Sequence, residues 1–400
     1  MIFVHLIFMK RITYLGLILF CLYSNFSFGK EVIVAAERTK EYLPLLQNKN
    51  VGLVVNQTSV IGDTHLLDTL LSLNIKVSKV FAPEHGFRGT ADAGESVKSG
   101  IDAKTKTTII SLYGNNKKPK PEQLADIDIL LFDIQDVGVR FYTYISTLEY
   151  IMEACAENNK PLIVLDRPNP NGHYVDGPIL ETTQKSFIGM QKIPIVYGMT
   201  IGEYAQMLNG EKWLTNKAQC KLTVIKNQNY DHNTYYSLPI KPSPNLPNLQ
   251  SIYLYPSLCF FEGTNTVSLG RGTDFPFQIY GSPDFPNTLG YQFTPIPKEG
   301  AKNPPLLNQK CYGYNLSETN LDTLKQQKFT LKYLINAYQL SSAKPTFFTS
   351  FFEKLAGTST LRKQIESGMN ENAIKATWQK DLNCFKLIRK KYLLYPDFKE

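Results

Sequence analysis

The chain has 400 residues, which is enough for two domains with a hydrophobic core each. Its 43% hydrophobic and 20% charged residues are an ordinary globular composition. The net charge of +8 is not gathered into a basic run with interleaved aromatic residues, so we expect no nucleic-acid partner and at most a mild attraction to anionic polymers.

The first 29 residues have the pattern of a secretory signal peptide. Lys10 and Arg11 precede an apolar run over residues 12–20, and small residues stand three and one positions before Lys30. The apolar run is too short for a confident membrane span. We therefore expect an exported protein, periplasmic or secreted, with no membrane span after the signal is removed.

Five cysteines remain beyond the signal segment. They are widely spaced and form no C-x-x-C pair, so neither a zinc ribbon nor a dense disulfide framework is predicted, and most should be buried as small apolar side chains.

From residue 51 onwards, short apolar runs alternate with amphipathic stretches. The predicted strands are 51–57, 77–82, 107–113, 127–132, 162–165 and 222–225, and the predicted helices are 66–73, 143–157 and 201–208. We expect Asp63 or Thr64 to cap the first of these helices. Continuous apolar strands that alternate with helices indicate a parallel sheet covered on both faces. The fold class is therefore α/β, with a Rossmann-like domain over residues 30–245.

A proline-rich segment follows this domain. Four prolines within residues 239–248 exclude regular structure there and mark a linker or an extended crossing. A glycine-rich stretch at 263–272 and predicted helices near 329–341 and 358–369 come after it. We interpret residues 246–400 as a smaller mixed α/β domain.

Polar side chains follow four of the predicted strands. Because ligands bind beyond the carboxyl ends of strands in an open parallel sheet, these side chains are candidates for one site. They lie in the segments 56–58, 83–89, 133–140 and 166–172. A single polar strand end is commonly a turn or a helix cap, but four in one sheet are harder to explain in that way.

Several nucleotide-binding and catalytic motifs are absent from the sequence, and their absence limits the reactions to be expected. No G-x-G-x-x-G or P-loop follows a strand, and no G-x-S-x-G elbow occurs, which disfavours nucleotide chemistry and a serine nucleophile. Carboxylate chemistry remains, and glycoside hydrolysis needs two carboxylates. Glu84 is the first candidate for the acid, and Glu95, Asp133 and Asp136 are candidates for the second group. Each of them also has a plain structural interpretation, such as a helix cap, a solvated loop acid or an internal ion pair.

Further side chains at the strand ends are candidates for substrate binding. Arginines suit an anionic substrate because guanidinium binds carboxylate in a bidentate manner, although an internal ion pair with Asp136 or Asp166 is an equal alternative. Amides suit sugar hydroxyls, but asparagine also favours turns. The candidates are Asn56, His85, Arg88, Gln135, Arg140, Tyr142, Asp166, Arg167, Asn169, Asn171, Glu262, Asn265 and Arg271.

Several of these segments resemble one known family. Residues 54–58, 83–89, 133–144, 166–170, 262–265 and 270–274 resemble, in the same order, the motifs of the NamZ-like exo-β-N-acetylmuramidase family of glycoside hydrolases, formerly a domain of unknown function (DUF1343). The resemblance covers about residues 50–400. It implies a Rossmann-like catalytic domain (30–245) followed by a smaller α/β domain (246–400), with the active cleft between or beside them and the second domain closing it. It also implies release of terminal N-acetylmuramic acid from peptidoglycan fragments in wall turnover and recycling, with Glu84 in the context of the family's proposed acid.

No cofactor is implied, and the partners would be peptidoglycan-derived saccharides. N-Acetylmuramic acid carries a lactyl carboxylate, and we hypothesise that Arg140 or Arg167 binds it. Two rival interpretations remain. One is a metal-dependent deacetylase or amidase, whose ligands would come from Glu84, His85, Asp133, Asp136 and His173. The other is a saccharide-binding protein without turnover.

Overall fold

The computed structural model describes residues 30–84, 86–87 and 99–399. The signal segment and the candidates His85, Arg88 and Glu95 lie outside these residues. Residues 33–400 group into one compact unit. No helix in the described ranges is long and apolar enough to cross a bilayer.

The larger sheet has seven strands within the described residues. They are β1 (Val51–Val55), β4 (Val77–Ala82), β5 (Gly100–Ile101), β6 (Thr108–Ser111), β7 (Ile129–Asp133), β8 (Pro161–Leu165) and β9 (Lys221–Ile225), in the order β5-β6-β4-β1-β7-β8-β9. All neighbours pair in parallel except β5 with β6. Without β5 this is the Rossmann strand order, which reverses between β1 and β7. The predicted Rossmann-like sheet is therefore confirmed.

Both faces of this sheet are covered because its central strands are apolar on both sides. Leu53 and Val55 face a core formed with α1 (Thr39–Leu46) and α2 (Leu66–Ser72). Val54 faces the other core, which includes α4 (Tyr144–Glu157) and α5 (Ile201–Gly210). The short α3 (Pro121–Leu124) precedes β7.

The predicted cap of α2 is wrong. Val60–Ile61 (β2) and Thr64–His65 (β3) pair as a small hairpin, so Thr64 belongs to a strand. The side chain of His65 caps the helix instead, because its Nδ1 accepts a hydrogen bond from the backbone N–H of Leu67 at 3.2 Å.

The C-terminal part packs onto the same core as α4 and α5. It contains an antiparallel sheet in the order β10-β12-β11 and a set of helices. The strands are β10 (Ile279–Ser282), β11 (Tyr291–Phe293) and β12 (Cys311–Asn315), and the helices are α6 (Leu249–Leu258), α7 (Leu321–Gln327), α8 (Lys332–Leu340), α9 (Phe351–Ala356), α10 (Thr360–Glu366), α11 (Glu371–Thr377) and α12 (Gln379–Arg389). Of the five cysteines within the described residues, four are buried and Cys384 is exposed, and no disulfide joins any two of them.

Candidate active site

A cavity of about 510 Å³ lies at the carboxyl edge of the parallel sheet. Its floor comes from the residues after β4, β6 and β7, and its other walls come from loops and from the C-terminal part. The described lining residues are Glu84, Tyr113, Lys117, Phe141, Tyr142, Thr143, Tyr144, Ser186, Phe187, Ile188, Ser243, Leu246, Tyr255, Glu262, Arg271, Phe277, Phe351 and Lys354. The position agrees with the general rule for ligand sites in open α/β sheets.

Glu84 stands two residues beyond β4 and is partly exposed to the cavity. The hydroxyl of Thr143, at the start of α4, donates a hydrogen bond to its Oε2 at 2.9 Å. Tyr113, after β6, lies beside the same carboxylate. Burial, and then the charge of Glu84, raise the pKa of Tyr113 to about 12. A carboxyl group is thus held in a defined orientation within a cavity that can accept a ligand.

Aromatic rings form a continuous wall of the cavity. The ring centres of Tyr142 and Tyr255 are 5.8 Å apart, and those of Tyr255 and Phe277 are 5.0 Å apart. The hydroxyls of Tyr142 and Tyr144 donate to the carbonyl of Pro242 at 2.8 and 3.3 Å. These bonds fix the proline-rich segment over the sheet edge and hold the rings as rigid faces, which suit the apolar faces of a sugar.

Glu262 and Arg271 line the cavity from the C-terminal part and form an ion pair. Nε and Nη2 of Arg271 both donate to Oε1 of Glu262, at 3.0 and 2.5 Å. The guanidinium also lies over the ring of Phe277, 5.0 Å from its centre. Burial alone would lower the pKa of Arg271, but the Glu262 carboxylate outweighs it and raises that pKa.

Asp133 and Arg167 are not among the described residues that line the cavity. Their side chains are 0% and 2% exposed and form a bidentate ion pair, with Nε to Oδ1 at 2.5 Å and Nη2 to Oδ2 at 2.8 Å. Nη2 also donates to the carbonyl of Val60 at 3.1 Å. The pair joins the ends of the adjacent strands β7 and β8, so the geometry assigns it an internal role.

Asp136 is also internal. Its Oδ2 accepts hydrogen bonds from the backbone N–H of Gly138 at 2.7 Å and from the Tyr197 hydroxyl, and burial raises its pKa to about 6. Gln135 donates from Nε2 to the carbonyls of Asp136 and Pro168, both at 2.7 Å. The loop after β7 is thereby attached to the loop after β8.

Arg140 is fully buried and cannot serve as the predicted carboxylate reader in this structure. Its guanidinium donates hydrogen bonds of 2.8 to 3.0 Å to four backbone carbonyls, those of Pro178, Ile193, Leu355 and Ala356. Burial lowers its pKa to about 9. Arg140 therefore joins the end of α9 to the part of the chain that forms the parallel sheet.

Five further polar candidates also form hydrogen bonds within the protein, four of them as buried residues and Asn265 as an exposed one. Asp166 accepts from Thr200 Oγ1, Gly202 N and Tyr395 Oη at 2.7, 2.8 and 2.6 Å. The other four are asparagines. Asn56 Oδ1 accepts hydrogen bonds from Thr58. The Nδ2 groups of Asn169, Asn171 and Asn265 donate to the backbone carbonyls of Met199, Val137 and Thr346, respectively. Of all the predicted residues that the structure describes, it brings Glu84, Tyr142, Glu262 and Arg271 together at the cavity.

The proposed metal ligands do not converge in the described part of the chain. No group of three or more His, Cys, Asp or Glu there could hold a metal ion. His173 is buried with its Nε2 3.1 Å from the carbonyl of Lys325, and burial lowers its pKa to about 4.

Sequence reasoning missed several residues of the cavity. Tyr113 ends the predicted strand 107–113, and the rule that ligands bind beyond the carboxyl ends of strands applies to it as well. Thr143 lies inside the motif at 133–144, but a threonine at the start of a helix is usually interpreted as a cap. Tyr255 and Phe277 carry no local signal, since aromatic residues equally fill cores.

Comparison with known proteins identifies the family. The model for the N-terminal domain of the exo-β-N-acetylmuramidase NamZ matches residues 51–250, and the model for its C-terminal domain matches residues 253–395. The chain is 40% identical over 375 residues to the peptidoglycan β-N-acetylmuramidase NamZ of Bacillus subtilis (strain 168), covering 89% of each chain.

Two crystal structures of DUF1343 family proteins from Bacteroides fragilis NCTC 9343 are similar in fold. One is 50% identical with a TM-score of 0.86, and the alignment covers 92% of this chain and 100% of that one. The other is 30% identical with a TM-score of 0.74, covering 91% of this chain and 99% of that one. The chain therefore belongs to the exo-β-N-acetylmuramidase family represented by NamZ.

Proposed function

We propose that this protein is an exo-acting β-N-acetylmuramidase that hydrolyses terminal, non-reducing N-acetylmuramic acid from peptidoglycan fragments in cell-wall turnover. Besides family membership, one observation carries the proposal. The cavity at the sheet edge presents an oriented carboxyl group, Glu84, beside a wall of aromatic rings. A glycosidase needs this combination of a proton donor and sugar-binding faces.

In the proposed reaction Glu84 is the general acid. Its proton passes to the glycosidic oxygen as the bond from that oxygen to C1 breaks, and water adds to C1 and releases a proton to a second carboxylate. Asp133 and Asp136 are engaged internally and do not line the cavity. Glu262 lines the cavity but is bound by Arg271, so Glu95, which follows Glu84 in the sequence, is our preferred second carboxylate.

Hydrolysis of paired glycosides tests the proposal. Residues 30–400 should cleave a 4-nitrophenyl β-N-acetylmuramide and spare the matching β-N-acetylglucosaminide. Glu84→Gln should lower kcat on N-acetylmuramyl-β-1,4-N-acetylglucosamine by about 10²- to 10⁴-fold, the usual contribution of general acid catalysis, because the departing sugar oxygen must be protonated. Glu122→Gln, an exposed change in α3, should leave kcat unaltered. Absence of muramide cleavage by the wild type, with saccharide binding intact, would overturn the proposal and favour a binding protein.

We also propose that the protein is exported, because residues 1–29 have the pattern of a cleaved signal peptide and the proposed substrate lies outside the cytoplasmic membrane. The N-terminal sequence of the protein purified from its native cells should begin at Lys30. A mature chain that retains residues 10–29 would refute this part of the proposal.

A further inference from the structure

The cavity has an excess of positive charge over the described residues. Its ionisable lining groups, apart from tyrosines, are the cations Lys117, Arg271 and Lys354 and the carboxylates Glu84 and Glu262. When Glu84 carries the proton that an acid must donate, three cations face one carboxylate. This excess charge favours an anionic substrate. The three cations differ in how well they could bind its negative group.

Of the three cations, Arg271 is held most firmly by neighbouring side chains. Its side chain is 17% exposed, and it is held from one side by Glu262 and from below by the ring of Phe277. Phe277 has φ 56°, a left-handed conformation that is costly for a bulky residue and is retained where the surroundings enforce it. The backbone thus accepts strain at the residue that supports the guanidinium.

The guanidinium of Arg271 also has N–H donors that its ion pair with Glu262 does not use. Its hydrogen bonds to Glu262 use Nε and Nη2 and reach a single oxygen, Oε1. Nη1 donates to no residue in the described ranges. An arginine carries five N–H donors in a flat fork, so the remaining edge of Arg271 matches a second carboxylate.

The two lysines lack this organisation. Lys117 Nζ lies over the ring of Phe187, 4.5 Å from its centre, and Lys354 Nζ donates to the carbonyl of Thr183 at 3.3 Å in an exposed position. A lysine ammonium is a point charge on a flexible stem, so these residues add attraction without fixing geometry.

We propose that Arg271 binds the lactyl carboxylate of the terminal N-acetylmuramic acid and so determines specificity, with Glu262 as a positioning residue that holds the guanidinium. This inference rests on the proposed function. It replaces Arg140 and Arg167, whose guanidinium groups are committed to internal partners.

A substrate pair that differs only in the lactyl charge tests it. One aryl β-N-acetylmuramide has the free lactyl acid, and the other has that acid capped as the methyl amide. The wild type should prefer the free acid by roughly 10- to 150-fold in kcat/KM, as expected for losing hydrogen bonds to a charged group. Arg271→Met should reduce this preference to about threefold or less, whereas a merely structural role would lower both rates together.

Two further variants show whether a loss of preference comes from the missing guanidinium or from misfolding. Glu262→Gln/Arg271→Met removes the carboxylate that would otherwise lose its partner, and it should show the same loss of preference. Lys298→Met is the matched control, because Lys298 is paired with Asp274 but does not line the cavity. Its preference should equal that of the wild type.

Binding of the free sugars separates failure of the inference from failure of the function. A preference that survives in both Arg271 variants overturns the inference and leaves the muramidase intact. A wild type without hydrolysis that still binds N-acetylmuramic acid over N-acetylglucosamine, dependent on Arg271, overturns the function and keeps the carboxylate site. A wild type that neither cleaves nor binds overturns both.

Discussion

Variants of the buried ion pair between Asp133 and Arg167 can show whether these residues stabilise the fold or take part in the reaction. Arg167→Met removes the cation and leaves the Asp133 carboxylate, which is 0% exposed, without its main partner. Breaking a buried pair on one side costs about 3–5 kcal/mol. This is a large part of the roughly 5–15 kcal/mol that stabilises a typical domain.

The double variant Asp133→Asn/Arg167→Met distinguishes the charge effect from simple loss of contacts. It removes both charges, so only an imperfectly bonded amide remains, at a cost of about 1–3 kcal/mol. We therefore expect the double variant to be more stable than the single variant. Urea unfolding followed by tryptophan fluorescence measures both free energies of unfolding.

The specificity of the same variants can be measured with the two aryl muramides that differ in the lactyl charge. At low temperature, where the variants remain folded, each should keep the wild-type preference for the free lactyl acid, because the pair does not line the cavity. The reasoning is refuted if Arg167→Met unfolds with the wild-type free energy, or if the folded variant no longer distinguishes the two substrates.

Three other changes have defined outcomes. Burial raises the pKa of Asp136 to about 6, above its unfolded value near 3.9, so the free energy of unfolding should fall as pH rises from about 4 to 6. Asp136→Asn should remove up to roughly 3 kcal/mol of that fall in urea unfolding at pH 4 and 7, and equal slopes would contradict this. Gly138→Ala should cost about 2–5 kcal/mol, seen as a lower Tm, because Gly138 has φ 76° and a Cβ would lie 2.1 Å from Asn169 Oδ1; an unchanged Tm would count against the local geometry. Thr143→Val removes the hydroxyl bonded to Glu84 and should lower kcat/KM on the muramide about 10- to 100-fold, whereas Thr143→Ser should not; wild-type kinetics for the valine variant would exclude an orienting role.

The parallel sheet could be predicted from sequence because its central strands β1, β7 and β8 are buried on both faces and form continuous apolar runs. The strand Val77–Ala82 agrees with its predicted bounds, and the other strands of the sheet's parallel part differ by a few residues at their ends. The antiparallel sheet of the C-terminal part has no comparable signal in the sequence. Its strands have only three to five residues, and β10 is buried throughout whereas β11 is partly exposed, so they share no clear period.

The site was harder to predict, because the sequence does not say where a polar strand end points. Asp133 and Arg167 end adjacent strands and satisfy each other, while Glu84, at the end of β4, faces the cavity. Arg140 illustrates the same problem. Its partners Leu355 and Ala356 are more than 200 positions away in the chain, so no local pattern could show that its guanidinium is already occupied.

The most direct test of the central claim is mass spectrometry of the products from two disaccharides with opposite sugar order. The protein should split N-acetylmuramyl-β-1,4-N-acetylglucosamine into its two monosaccharides and leave N-acetylglucosaminyl-β-1,4-N-acetylmuramic acid intact. Cleavage of only the second disaccharide, or loss of an acetyl group with the glycosidic bond unbroken, would contradict the account.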